Sequence, residues 1–295
     1  MQIRSLKIAG YIPITIILLC QSAYGSSWDP GTKASNQGGI VNTRHNLTQS
    51  FLIFNGFLNM NPYRNYYSEV CVYCHTPHGA NKQIDAPLWN HTISTTGFTP
   101  YTTQTGQAGT PGSGSLMCLS CHDGTLAVDS VINMPGSGGY NVSQELSQSN
   151  AFLNVWTNPS GPDAFNHFPL GQAVFSCAEF CHNPSGGLPD FRAFVVGKDL
   201  SNDHPVGVNY PAVGTPDFKI PANEKAGKAK FFGGDSTLNK NDVRLVYGSG
   251  EYRVECTSCH DPHGVPSAGE GSTFIGSFLR VDNAGSALCL TCHDK

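Results

Sequence analysis

Residues 71–79 read CVYCHTPHG, and residues 256–264 read CTSCHDPHG. Each run holds two cysteines separated by two residues, a histidine directly after the second, and another histidine three positions on. Residues 112–123 read GSGSLMCLSCHD and residues 285–294 read GSALCLTCHD, so the same core returns without the second histidine. A fifth version, Cys177-Ala178-Glu179-Phe180-Cys181-His182, has one extra residue between its cysteines. Apart from Cys20, the cysteines are therefore Cys71, Cys74, Cys118, Cys121, Cys177, Cys181, Cys256, Cys259, Cys289 and Cys292, in five pairs. The histidines that follow them are His75, His122, His182, His260 and His293.

C-x-x-C-H is the attachment signature of haem c. Two thiols add to the vinyl groups on one porphyrin edge, and the next residue carries its imidazole under the iron as proximal ligand. Zinc does not require a histidine directly after each cysteine pair. Redox dithiols come singly on a thioredoxin-like βαβ pattern. Exported cysteines form disulfides, but a disulfide framework gives no reason for histidine at one offset five times. The sequence predicts five covalently bound haem c groups, the fifth version using a slightly wider loop.

The motifs alternate in type. CHTPHG is followed by CLSCHD, then the solitary Cys177–His182 motif, then CHDPHG and CLTCHD. This order reads as a duplicated two-haem module. It divides the chain into a signal peptide at 1–25, a first two-haem module at 26–140, a middle segment with the single motif at 141–240, and a second two-haem module at 241–295.

Charged residues make up 13 % of the 295 positions and apolar ones 39 %, while Gly (33) and Pro (19) are abundant. Gly and Pro interrupt helices and strands. The predicted fold class is a multihaem cytochrome c, mostly irregular with short helices and a few short strands, packed around a chain of haems. Residues 102–116 and 133–140 read as loops. Residues 51–58 read as a short apolar helix or strand. Val243, Leu245 and Tyr247 alternate, as do Tyr252 and Val254, with Gly248-Ser249-Gly250 between, which predicts a hairpin leading into the fourth motif.

Arg4 and Lys7, the apolar stretch 8–19 and Ala23-Tyr24-Gly25 form a secretory signal, with cleavage before Ser26. Losing its two basic residues takes the formal net charge from −4 to −6. A nucleic-acid partner needs a basic face, so none is expected. The leader is too short to span a bilayer and no later stretch is long enough. Cys20 raises a lipoprotein reading, weakened by Leu19 where a small residue is wanted. The expected location is secreted, periplasmic or extracellular.

Six histidines remain for the opposite faces of five irons: His45, His78, His91, His167, His204 and His263. This near match predicts mainly bis-His ligation, with His91 or His167 as the spare. His78 and His263 sit three residues after a proximal histidine. That reach is at most ~10 Å, too short to round the macrocycle, so each should ligate a neighbouring haem. Met60 and Met134 are weaker alternatives.

These runs resemble the c-type cytochromes with doubled C-x-x-C-H motifs of anaerobic, metal-reducing bacteria, grouped with the cytochrome c3-like proteins. The resemblance rests on His45-Asn46-Leu47, CHTPHG, Ala86-Pro87-Leu88-Trp89-Asn90, CLSCHDG, His204-Pro205-Val206-Gly207-Val208, CTSCHDPHG and CLTCHD. It implies closely spaced bis-His haems, electron transfer, and redox partner proteins or extracellular acceptors. Some cytochromes of this kind polymerise, so the resemblance also admits a conductive filament with haem ligation between subunits. The Cys177–His182 motif departs from the simpler four-haem pattern. No catalytic triad, phosphate loop or carboxylate pair is evident. An electron carrier is expected, with a multihaem oxidoreductase holding one open haem site as the alternative.

Overall fold

The computed structural model describes residues 40, 43–48, 64, 67, 69–93, 97–103, 106–133, 168–171, 176–185, 190–264 and 278–295. The leader, Cys20, the 51–58 stretch, Met60, Met134 and His167 lie outside the described residues.

Among the described residues the α-helices are short and coincide with cysteine motifs. They are α1 (Ser113–His122), α2 (Cys256–Cys259) and α3 (Ala287–Cys292), with a π-helical turn at Cys177–Cys181. The strands are β1 (Val208–Asn209), β2 (Asn223–Lys225), β3 (Ala229–Phe231), β4 (Arg244–Gly248) and β5 (Glu251–Val254). They form one antiparallel sheet in the order β1-β5-β4-β3-β2. The sheet takes β1 to β3 from the 141–240 segment and β4 and β5 from 241–295.

The hairpin forms as the alternation requires. Ser249 and Gly250 take φ of 54° and 87°, the left-handed pair of a two-residue turn that matches strand twist. Val243 and Leu245 are buried at 2 % exposure, but Tyr247 is 40 % exposed. It lies near the tip, where its ring meets Tyr252 at 5.1 Å rather than the core. β5 then runs directly into α2, so the sheet carries the fourth motif.

The loop read at 102–116 ends early, because α1 begins at Ser113. Gly114 is helical for a packing reason. A Cβ there would lie 2.5 Å from Thr257 Oγ1, so this glycine lets α1 lie against α2. The compact apolar cluster is small: Tyr67, Val72, Tyr73 and Val131, with Leu47 and Cys74 against it. Asn90 crosses beside it, donating from Nδ2 to the Val72 carbonyl at 2.7 Å and accepting Asn133 N–H at 2.9 Å.

Candidate haem sites

The cysteine motifs share one backbone device. The N–H of the histidine donates to the carbonyl of the first cysteine: His75 to Cys71 at 2.8 Å, His260 to Cys256 at 3.1 Å, and His293 to Cys289 at 3.0 Å. His182 makes the same bond to Cys177 at 2.8 Å across five residues instead of four. The extra residue is absorbed by widening the turn to a π-helix, with Ser176 Oγ accepting Glu179 N–H at 3.2 Å. Both cysteines and the histidine thus stay on one turn.

A second device recurs at three motifs. Leu88-Trp89-Asn90 lies antiparallel on Cys74-His75-Thr76: Thr76 N–H donates to Leu88 at 2.9 Å and Asn90 N–H to Cys74 at 2.9 Å. Phe278-Leu279-Arg280 does the same to Cys259-His260-Asp261, at 3.0 and 2.8 Å. Asp217-Phe218-Lys219 does it to Cys292-His293-Asp294, at 3.0 and 2.9 Å. In each case the first residue has positive φ: Leu88 54°, Phe278 55°, Asp217 68°. Side chains in this region are costly and cluster at functional sites. The bend turns a passing chain so that it clamps the residues flanking the histidine of the motif.

Four imidazoles meet as two pairs. The His75 and His263 rings are 6.1 Å apart between centroids with planes 9° from parallel. The His45 and His122 rings are 6.0 Å apart at 72°. Every one of the four spends Nδ1 on a protein oxygen. His75 donates to the Pro87 carbonyl at 2.7 Å, His122 to Phe194 at 2.6 Å, His45 to Pro262 at 3.2 Å, and His263 to Asp261 Oδ1 at 3.1 Å. Nε2 is left as the free lone pair on each ring, the state expected of a metal-bound histidine.

Electrostatics agree with neutral rings at His45, His75 and His122. Burial, and then the neighbouring His122, bring His45 down to about 4. Burial lowers His75 and His122 too, against the carbonyls that hold them. At Asp261 burial alone would push the carboxyl up; hydrogen bonds from His263 and the Arg280 charge outweigh it and bring it to about 2.

The second and fourth motifs are laced together. The Glu255 carboxylate accepts Gly112 N–H at 3.1 Å, the Ser115 hydroxyl and the Ser258 N–H, while Cys256 N–H donates to Ser115 Oγ at 2.9 Å. Gly207, at φ 70°, brings the chain before β1 against Thr110; a Cβ there would lie 2.1 Å from the Thr110 carbonyl. Cys256 lies beside Cys118 here, and its thiol together with burial pushes Cys118 up. All ten described cysteines are free thiols. Burial raises Cys74, Cys121, Cys177 and Cys292 to about 12 and Cys259 to about 11. These five are neutral at pH 7, and thiols in twos directly before a histidine fit thioether attachment of haem. Among the described residues no group of three or more His, Cys, Asp or Glu forms a bare-metal site.

The remaining candidates are placed as follows. Burial lowers His204, and the neighbouring His293 adds to the effect. His78 is exposed, and no described ring faces it. His91 is buried, with Nε2 donating to the Tyr73 carbonyl and its ring beside Trp89 at 5.8 Å. His182 stacks on Phe191 at 3.7 Å and 5°. Sequence reading missed Glu255, Ser115, Asp261, Arg280 and the clamping residues 88, 217 and 278. Only Gly112 and Gly114 before the second motif hinted at close packing.

A family model described as the doubled CXXCH motif matches residues 250–295, the segment from the hairpin tip through the fourth and fifth motifs. This segment is a haem c-binding module. The module fits a multihaem c-type cytochrome, whose function is electron transfer. None of the curated proteins matches the chain significantly. Among the described residues no helix is long and apolar enough to cross a membrane.

Proposed function

We propose that the chain is a secreted electron-transfer cytochrome with five haem c groups, mainly bis-His ligated, and that its third motif binds haem as the regular ones do. The observation that carries the reading is the matched pair of imidazole couples. Two imidazoles bound axially to one metal at about 2 Å per bond set their ring centres about 6 Å apart. The 6.1 Å of His75 and His263 and the 6.0 Å of His45 and His122 fit this spacing, with Nε2 free on all four rings. His263 then serves the haem of the first motif and His45 that of the second.

Contacts between motifs give the haems a connected order. His263 ties the first motif to the fourth, because His260 lies three residues before it. The hydrogen bonds of Glu255 and Cys256 to Gly112 and Ser115 tie the second to the fourth. Electrons would pass between neighbouring macrocycles, the protein supplying spacing, ligands and exclusion of water.

Absorption and EPR spectra of the purified ferric protein test this against the oxidoreductase reading. Wholly low-spin haem is expected. A high-spin signal from about one haem in five, with one axial position open, would favour the enzyme. A filament is a second reading, favoured by exposed His78, which is free to meet a haem of another copy. Negative-stain microscopy of secreted material, with His78→Ala beside the parent, tests it.

A further inference from the structure

The two CHxPHG runs differ at one position, with Asp261 in the fourth motif where the first has Thr76. Asp261 is 7 % exposed. Its Oδ1 accepts both the backbone N–H and the ring Nδ1–H of His263, at 3.0 and 3.1 Å. Its Oδ2 faces Arg280 Nη1 at 3.3 Å. Arg280 is 4 % exposed and cannot swing away. Its Nε donates to the Thr257 carbonyl at 3.1 Å, its Nη1 to Lys240 at 2.8 Å, and its backbone N–H to Cys259 at 2.8 Å. In the first motif nothing equivalent exists: the Thr76 hydroxyl donates to the His78 carbonyl at 2.8 Å and leaves the ring alone.

We propose that Asp261, clamped by Arg280, is a potential-setting residue that lowers the reduction potential of the haem ligated by His263. This rests on the reading of His263 as an axial ligand. A carboxylate accepting Nδ1–H makes the imidazole a stronger donor to the metal. A buried negative charge also favours the ferric over the ferrous state, since reduction removes one positive charge. His45 offers the internal contrast, because its Nδ1 meets only the neutral Pro262 carbonyl. Arg280 partly cancels the carboxylate charge, so the two side chains act on the potential with opposite sign.

The test is a spectroelectrochemical titration of the full haem-loaded protein, with Asp261→Asn, Arg280→Gln and His263→Ala beside the parent. Asp261→Asn should shift one macroscopic couple toward the reduced form by about tenfold or more, about 59 mV for one electron, and leave the spectrum low-spin. Arg280→Gln should move the same couple the other way. A merely structural role would move both variants in the same direction, and that result overturns the proposal. So does an unchanged couple in Asp261→Asn. If Asp261→Asn yields no haem-loaded protein, Arg280→Gln decides by itself: a downward shift supports and no shift overturns. His263→Ala separates the two readings. All haems remaining low-spin there ends the ligation reading and the proposal with it, whereas loss of one low-spin haem beside an unshifted Asp261→Asn ends the proposal alone.

Discussion

His75 and His263 come from the first and fourth motifs, yet their rings lie parallel within 9° at 6.1 Å. His45 and His122 reach the same separation but cross at 72°. On one iron, parallel imidazole planes split the two π-bonding d orbitals, and crossed planes bring them toward degeneracy. The ferric EPR spectrum should therefore hold one rhombic low-spin signal that His263→Ala removes. It should also hold one strongly anisotropic signal that His45→Ala removes. Each variant should gain one high-spin haem. The same signal vanishing in both variants would contradict the two-pair assignment.

The haem-binding character of residues 250–295 was legible in sequence because thioether attachment demands fixed residue types at fixed spacing. Cys256-x-x-Cys259-His260 has few other uses. The hairpin was legible too, since Val243, Leu245, Tyr252 and Val254 alternate about Ser249-Gly250. Which histidine faces which was not legible, because His45 and His122 meet through a fold whose local sequence is mostly turns. The clamps at Leu88, Asp217 and Phe278 carry no residue signal, since none is the glycine that positive φ favours. Ser113-Gly114-Ser115 reads as loop by composition and is helical only because Glu255 and Thr257 pack on it.

Glu255 should be the keystone between the second and fourth motifs. Glu255→Ala strands the Gly112 N–H and the Ser115 hydroxyl, each costing about 1–3 kcal/mol when buried without a partner, while the Ser258 N–H keeps the Glu255 backbone carbonyl at 2.8 Å. A loss of at least about 2 kcal/mol in unfolding free energy is expected, read by denaturant titration. A loss under about 1 kcal/mol would mean that water replaces the carboxylate.

Glu255 also sets a pH dependence. Burial raises its carboxyl above the ordinary 4.5, against the Ser115 and Gly112 hydrogen bonds that pull it down. A carboxyl raised in the folded state contributes stability that is present below its unfolded value and lost as pH rises through the folded one. The unfolding free energy of the parent minus that of Glu255→Gln should therefore fall as pH climbs from 4.5. A difference that stays flat or grows with pH would contradict the sign.

Gly207→Ala should be far more damaging than Gly227→Ala, although both have positive φ, 70° and 66°. Gly227 has nothing within 4 Å of a Cβ, so alanine there pays only the left-handed strain, about 1–2 kcal/mol. At Gly207 the Cβ would sit 2.1 Å from the Thr110 carbonyl, a backbone atom that cannot rotate aside. The cost there should exceed about 3 kcal/mol, measured by thermal melting of the two variants in parallel. Similar costs would show that the 110 and 207 segments are free to separate.

Deleting Glu179 turns the third motif into the regular spacing. Its four-residue turn should still present both thiols and His182, so the mass should still include five haems. The deletion rotates the following residues by about 100°. That takes Phe180 off Phe168, now at 6.1 Å, and His182 off Phe191, now at 3.7 Å. Each aromatic contact contributes about 0.5–1.5 kcal/mol beyond its burial, so a drop of about 1–3 kcal/mol in stability is expected with the haem count unchanged. A mass with one haem fewer would show instead that the π-turn is needed for attachment, and that the wider loop is matched to how this macrocycle sits.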